Sequence, residues 1–222
     1  MRSSADLFAA QLSALQSRGR LRRLVPRTGL DFASNDFLGL ANDSVIAQAV
    51  ADAVSRGVPV GSGGSRLLRG NAPEHEELEL QASTYFGSEA ALYFANGFAA
   101  NMALLACLPQ RGDLIVADAL IHASAHDGIR QSKAAHVFAA HNDPNAFADA
   151  IAQWRTGGGT GRVWIAVETL YSMDGDIAPV AALAEIAVQH DAILLFDEAH
   201  ATGVFGPGGR GIAVNRSSAH RE

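Results

Sequence analysis

Between residues 90 and 197, short apolar runs alternate with segments whose apolar positions recur every three or four residues. The runs predict strands at 90–95, 114–117, 136–140, 163–168 and 193–196, each too short for a helix and bounded by turn residues. The segments between them predict helices at 97–108, 123–132, 145–154 and 179–190. Strands and helices alternating at this spacing make an α/β fold, a mostly parallel sheet covered by helices. Upstream, Leu7, Phe8, Leu12 and Leu15 follow helical spacing and predict a helix over 5–16. Residues 30–40 alternate apolar and polar positions and predict a strand running into a turn at Gly39. Asp43 or Ser44 is placed to cap a helix over 45–55. Pro73, followed by Glu74, Glu76 and Glu77, opens another that reaches about Tyr85 and stops at Gly87. Glycine-rich loops are expected at 61–70 and 157–161.

An open parallel sheet binds its ligands at the carboxyl ends of its strands. That edge is where the reactive side chains fall. Asn96, Gly97 and Phe98 follow the first predicted strand and open a helix, so that free amides and the positive end of the helix dipole are placed for a phosphate. His122 follows the second strand, Glu168 and Ser172 the fourth, and Asp197, Glu198 and His200 the last, which reads as buried. Gly203, Gly206, Gly208, Gly209 and Gly211 then suit a loop that wraps closely over a bound group. His122 and His126 are four apart, but zinc-protease chemistry needs a glutamate where Ala123 stands, so no metal site is expected. Asp197-Glu-Ala-His200 also matches the magnesium-binding strand of DEAH-type NTPases. That reading requires a Gly-Lys-Ser/Thr phosphate loop, and the one lysine of the chain, Lys133, lies between Ser132 and Ala134.

Composition narrows the partners. The 222 residues can bury a full core, and 48% hydrophobic content, 18% charged content and a net charge of −6 are those of an ordinary globular protein with no electrostatic reason to bind nucleic acid. Arg18, Arg20, Arg22, Arg23 and Arg27 form a basic arm that is either solvated or able to hold an anion. A single cysteine, Cys107, excludes a disulfide framework and is expected to be a buried structural thiol. No apolar stretch nears the roughly 18 residues of a membrane span, and no signal-peptide core is present, so the expected location is the cytoplasm.

Taken together, Phe32-Ala-Ser-Asn-Asp-Phe-Leu-Gly-Leu40, Gly61-Ser-Gly-Gly-Ser-Arg66, Ala95-Asn-Gly-Phe-Ala-Ala-Asn101, Ile121-His-Ala-Ser124, Glu168-Thr-Leu-Tyr-Ser-Met-Asp-Gly-Asp176 and Asp197-Glu-Ala-His-Ala-Thr-Gly203 closely resemble the α-oxoamine synthase family of pyridoxal 5'-phosphate enzymes. The resemblance runs from about Arg22 to Gly211. It implies the large domain of fold type I transferases, with a helix and basic arm over 1–30, the N-terminal part of the cofactor-binding domain over 31–211 and a divergent tail over 212–222. The family condenses an amino acid with an acyl thioester and releases carbon dioxide. Overall likeness points to members that use L-alanine and a pimeloyl thioester in biotin synthesis, with glycine-using sister synthases as the alternative. Residue by residue, the resemblance implies that Asp197 pairs with the pyridine nitrogen, that His200 and Ser172 bond the phenolic side, and that His122 stacks on the ring as the catalytic histidine. Gly97 and Phe98 would hold the phosphate through backbone amides, while Arg22, Asn35 and His122 would contact substrate. Family members are homodimers.

The family's cofactor-anchoring lysine and small C-terminal domain lie beyond the glycine-rich loop, and neither is found in this chain. The expectation is a C-terminally truncated chain, inactive alone, with an exposed apolar sheet edge. A complementing half completed by a second polypeptide, or a non-catalytic remnant, are the alternatives.

Overall fold

A computed structural model of the chain describes residues 4–26 and 28–213, with all of their side chains except those of Ser4, Ala5 and Leu7. Arg27 of the basic arm and residues 214–222 of the predicted tail lie outside the described residues. The chain divides into two compact units, Met1–Asn35 and Asp36–Glu222.

The first unit holds helix α1 (Ser4–Ser17), in agreement with the predicted 5–16. It ends at Gly19, whose φ of 65° lets Arg20 N reach back to Leu15 O. Phe8, Leu12 and Leu15 are exposed, as are Arg18, Arg20, Arg22 and Arg23. The strand expected at 30–40 does not form. Asp31 accepts from Ala33 N, and in the second unit Asp36 accepts from Leu40 N and Ala41 N. Each carboxylate offers the backbone a local turn in place of a ladder, which overrides the alternating pattern. The turn at Gly39 is present, with φ 67°.

The second unit carries α2 (Ser44–Ser55), α3 (Pro73–Phe86), α4 (Gly97–Cys107), β1 (Leu114–Asp118), α5 (Ala123–Gln131), β2 (Ala135–Ala139), α6 (Pro144–Thr156), β3 (Val163–Glu168), α7 (Val180–His190) and β4 (Ala192–Asp197). Asp43 rather than Ser44 caps α2, accepting from Val45 N and Ile46 N. Segment 90–95 is not a strand. Tyr93 N donates instead to Glu79 Oε1 at 2.7 Å, a carboxylate that Arg66 also grips and that is held down to a pKa of about 2 by that hydrogen-bonded guanidinium. Strand geometry needs a hydrogen-bonded neighbour, and among the described residues none lies beside this segment.

The sheet is all parallel in the order β2-β1-β3-β4. Its two central strands, β1 and β3, are buried along their whole length, which is why they read as continuous apolar runs. Successive residues still serve opposite faces. Leu114, Val116, Val163, Ile165 and Val167 pack with Phe147 and Ile151 of α6 and Leu183 and Ile186 of α7. On the other face Ile115, Ala117, Trp164 and Ala166 pack with Leu105 of α4 and Ala125 and Ile129 of α5. Each fully buried large aliphatic side chain contributes roughly 1.5–3 kcal/mol. Asp113 ties the start of β1 to β3, accepting from Gln110 N, Arg162 N and the Trp164 indole at 2.9, 2.9 and 3.2 Å. Burial works against its charge, but these donors prevail and its pKa is lowered.

Two expectations of burial are corrected. β4 is half-buried throughout because it stands at the end of the sheet among the described residues, with one side of its ladder unpaired. Cys107 is exposed, since it closes the last turn of α4 beyond Leu105.

Candidate active site

Because every strand pairing is parallel, Asp118, Ala139, Glu168 and Asp197 close their strands at one edge, with Glu168 in register with Asp197. Lys133 lies between α5 and β2, at the opposite edge. A five-residue strand spans about 16 Å, so Lys133 is a full strand length from the edge that carries the acids.

The geometry at the acidic edge is built by α4 and α5. Gly128 of α5 faces α4 so closely that an added Cβ would lie 2.9 Å from both Leu105 Cβ and Met102 O. The absent side chain lets the two helices close, and their N-terminal halves then share a polar contact. Asn101 Nδ2 donates to Asp197 Oδ2 at 2.6 Å and to Ser124 Oγ at 3.1 Å. Ser124, fully buried, stands 2.7 Å from His122 Nδ1, and its backbone amide donates to the same nitrogen at 3.2 Å. His122 is thereby the N-cap of α5, and its exposed ring meets Phe98 edge-on at 6.5 Å. Asn96 caps α4 by accepting from Ala99 N at 2.8 Å. The amides of Gly97 and Phe98, in the first turn, have no intrahelical acceptor and project from the helix end.

Asp197 also accepts from Ala199 N at 2.9 Å. A carboxylate has about four acceptor positions, so lone pairs remain for a further donor. Glu168 is 2% exposed, and burial pushes its carboxyl up to about 7, with the Asp197 and Asp118 charges adding to the shift against the backbone amides of Ser172 and His122. Near neutrality it is therefore part protonated and part ionised. Ser172 is exposed in the turn after β3, and its amide donates to Glu168 Oε2 at 3.3 Å.

His141 fixes the next loop. Its two ring nitrogens meet Asp118 Oδ1 and Asp176 Oδ2, each at 2.8 Å. Burial opposes its charge, but the two carboxylates win and raise its pKa. Tyr171 stands edge-on to that imidazole at 4.5 Å. Among the described residues Tyr171 Oη, Asn142 Oδ1 and Asp176 Oδ1 are buried without a hydrogen-bond partner.

The two acids of the Asp197-Glu198 pair have different roles. Glu198 turns away to hold the end of the glycine-rich loop, accepting from Ile212 N at 3.0 Å, Ala213 N at 2.7 Å and Thr169 Oγ1 at 2.8 Å. Gly211, at φ 99°, passes so close that a Cβ there would meet this carboxylate at 2.5 Å. His200 lies partly buried in the turn beyond Asp197, 6.3 Å from the Phe37 ring. Arg22 and Asn35 belong to the first unit, where both are exposed. Asn101, Ser124 and His141 were not among the expected site residues. No cluster of metal-ligating side chains occurs among the described residues, and no helix there is long and apolar enough to cross a membrane.

Residues 27–220 match the model of the class I and II aminotransferases. The chain belongs to this family. Within the family it is similar to the 8-amino-7-oxononanoate synthase of Azoarcus sp., 39% identical over 99% of this chain and 58% of that protein. Its fold is similar to a serine palmitoyltransferase from S. paucimobilis solved with PLP and myriocin bound, 28% identical with a TM-score of 0.80, covering 95% of this chain and 58% of that one. It is similar also to the 8-amino-7-oxononanoate synthase of Francisella tularensis, 29% identical with a TM-score of 0.67 over 82% of this chain and 48% of that one. The chain spans about half the length of the curated relatives it matches.

Proposed function

We propose that this chain supplies the cofactor-holding face of a pyridoxal-phosphate-dependent acyltransferase that condenses L-alanine with a pimeloyl thioester to 8-amino-7-oxononanoate. The observation that carries the reading is the carboxylate of Asp197, anchored by Asn101 at the ligand edge of a parallel sheet with the open N-terminus of α4 beside it. The donor set fits the cofactor. Asn101 lies four residues past Gly97, about 6 Å along the helix at 1.5 Å per residue. The anion-binding amides thus lie one helical turn from the residue that holds the acid.

When bound, pyridoxal phosphate supplies an electron-withdrawing ring for charge that develops on the amino acid's α carbon. Asp197 holds a proton at the ring nitrogen, which keeps that withdrawal strong. The Gly97 and Phe98 amides bind the phosphate, His122 covers one ring face, and Ser172 and His200 bond the phenolic oxygen. Glu168, poised near neutrality beside Asp197, can hold or release a proton at the same edge.

Lys133, one strand length away, is not the covalent anchor. A covalent anchor for the cofactor would be a lysine other than Lys133. Likeness to serine palmitoyltransferase favours, as a second reading, a sister synthase that takes a different amino acid.

The test is titration of the chain with pyridoxal phosphate, followed by quenching of intrinsic fluorescence. Saturable one-to-one binding, weakened ten-fold or more by Asp197→Asn, is expected. Equal affinity in the two proteins would count against the assignment.

A further inference from the structure

We propose that Asn101 is a positioning residue of this site, setting the carboxylate of Asp197 directly and the imidazole of His122 through Ser124. The inference rests on the reading of Asp197 as the partner of the cofactor's ring nitrogen. Its basis is a continuous hydrogen-bonded line, Asp197 Oδ2 to Asn101 Nδ2 at 2.6 Å, Asn101 Nδ2 to Ser124 Oγ at 3.1 Å and Ser124 Oγ to His122 Nδ1 at 2.7 Å.

Proton directions along this line follow from valence. An ionised carboxylate only accepts, so the carboxamide turns its NH2 rather than its oxygen toward Asp197. The second hydrogen of that NH2 goes to Ser124 Oγ. Ser124 has then accepted once, and its own hydrogen is free to point at His122 Nδ1. That nitrogen already accepts from Ser124 N at 3.2 Å, so the neutral ring carries its proton on Nε2. One carboxamide thereby holds the acid on β4 and orients the hydroxyl that faces the histidine at the start of α5.

The placement is specific. Asn101 sits in an otherwise apolar stretch of α4, and the Ser124 side chain it reaches is fully buried. A carboxamide there has a desolvation cost that only well-formed partners offset. The close approach of α4 and α5 at Gly128 supplies those partners.

The experiment compares Asn101→Ala, Ser124→Ala and the unmodified chain for binding of pyridoxal phosphate and of the analogue whose ring nitrogen is replaced by carbon. The unmodified chain should prefer the natural cofactor ten-fold or more, the range of a hydrogen bond to a charged group. Asn101→Ala should bring the two affinities within about three-fold by weakening only the natural cofactor, whereas Ser124→Ala should keep the preference. Nitrogen-15 spectra should show neutral His122 as the Nε2–H tautomer in the unmodified chain and in Ser124→Ala alike, because the backbone amide of residue 124 still donates to Nδ1. If Asn101→Ala weakens both ligands equally, its role is structural and the inference fails. If the unmodified chain binds both ligands equally, the reading of Asp197 itself fails and the inference with it.

Discussion

Replacing Glu168 by glutamine removes a buried acid while keeping its shape and an acceptor for Ser172 N. In the unfolded chain the acid ionises around its ordinary 4.5, but in the folded protein burial holds the proton to about 7. The folded form therefore binds more protons across this window. Stability is full below 4.5, falls as pH rises toward 7 and is level above it. A gap of roughly 2.5 units at 1.36 kcal/mol each makes the loss about 3 kcal/mol. His141 acts with the same sign at higher pH, because its raised pKa stabilises the fold below the ordinary histidine value and the gain is lost as pH rises through the folded one. Urea unfolding at pH 4.5, 6 and 8 separates the two. Glu168→Gln should abolish the decline between pH 4.5 and 6 and leave the His141 portion above it, so that the variant exceeds the parent by about 3 kcal/mol more at pH 8 than at pH 4.5. Parallel pH profiles for the two proteins would refute the buried-acid account.

The remaining predictions concern packing and the sheet. Gly128→Ala should cost about 1–3 kcal/mol by forcing α4 from α5, and it should also weaken cofactor binding; a variant of parental melting temperature and affinity would contradict the close approach. Asp113→Ala leaves the Trp164 indole and two backbone amides without their acceptor, and should lower unfolding free energy by about 3 kcal/mol. A change under about 0.5 kcal/mol, the size expected for a surface substitution, would show the clamp to be idle. A high-resolution crystal structure should place an ordered water against Tyr171 Oη, Asn142 Oδ1 and Asp176 Oδ1, since buried polar atoms are rarely left unpaired.

Much of the framework is legible in the sequence because the central strands are buried on both faces. β3 falls on 163–168 as predicted, and the alternation of strands and helices from 114 to 197 carries the parallel topology. The positions of Asp197, His122 and Gly97 in the fold are also readable, since each ends a strand or stands at the start of a helix. Segments 30–40 and 90–95 mislead because their apolar patterns carry no information about ladder partners; Asp31, Asp36 and Glu79 capture the backbone amides instead. Asn101 was hidden for a different reason. A lone carboxamide in an apolar helix reads as an interruption, and only the folded approach of α4, α5 and β4 shows it facing Ser124 and Asp197 at once. The opposed directions of Asp197 and Glu198 likewise depend on the loop's return past Gly211.

The central claim is that this chain holds the cofactor through Asp197 without a lysine of its own at that edge. The most direct measurement is borohydride reduction of the chain equilibrated with pyridoxal phosphate, read by intact mass and peptide mapping beside the dissociation constants of the parent and Asp197→Asn. Reversible binding that depends on Asp197, with no stoichiometric adduct on Lys133 and no product from L-alanine and pimeloyl thioester by the chain alone, is the predicted result. A stoichiometric adduct on Lys133 accompanied by turnover would contradict it.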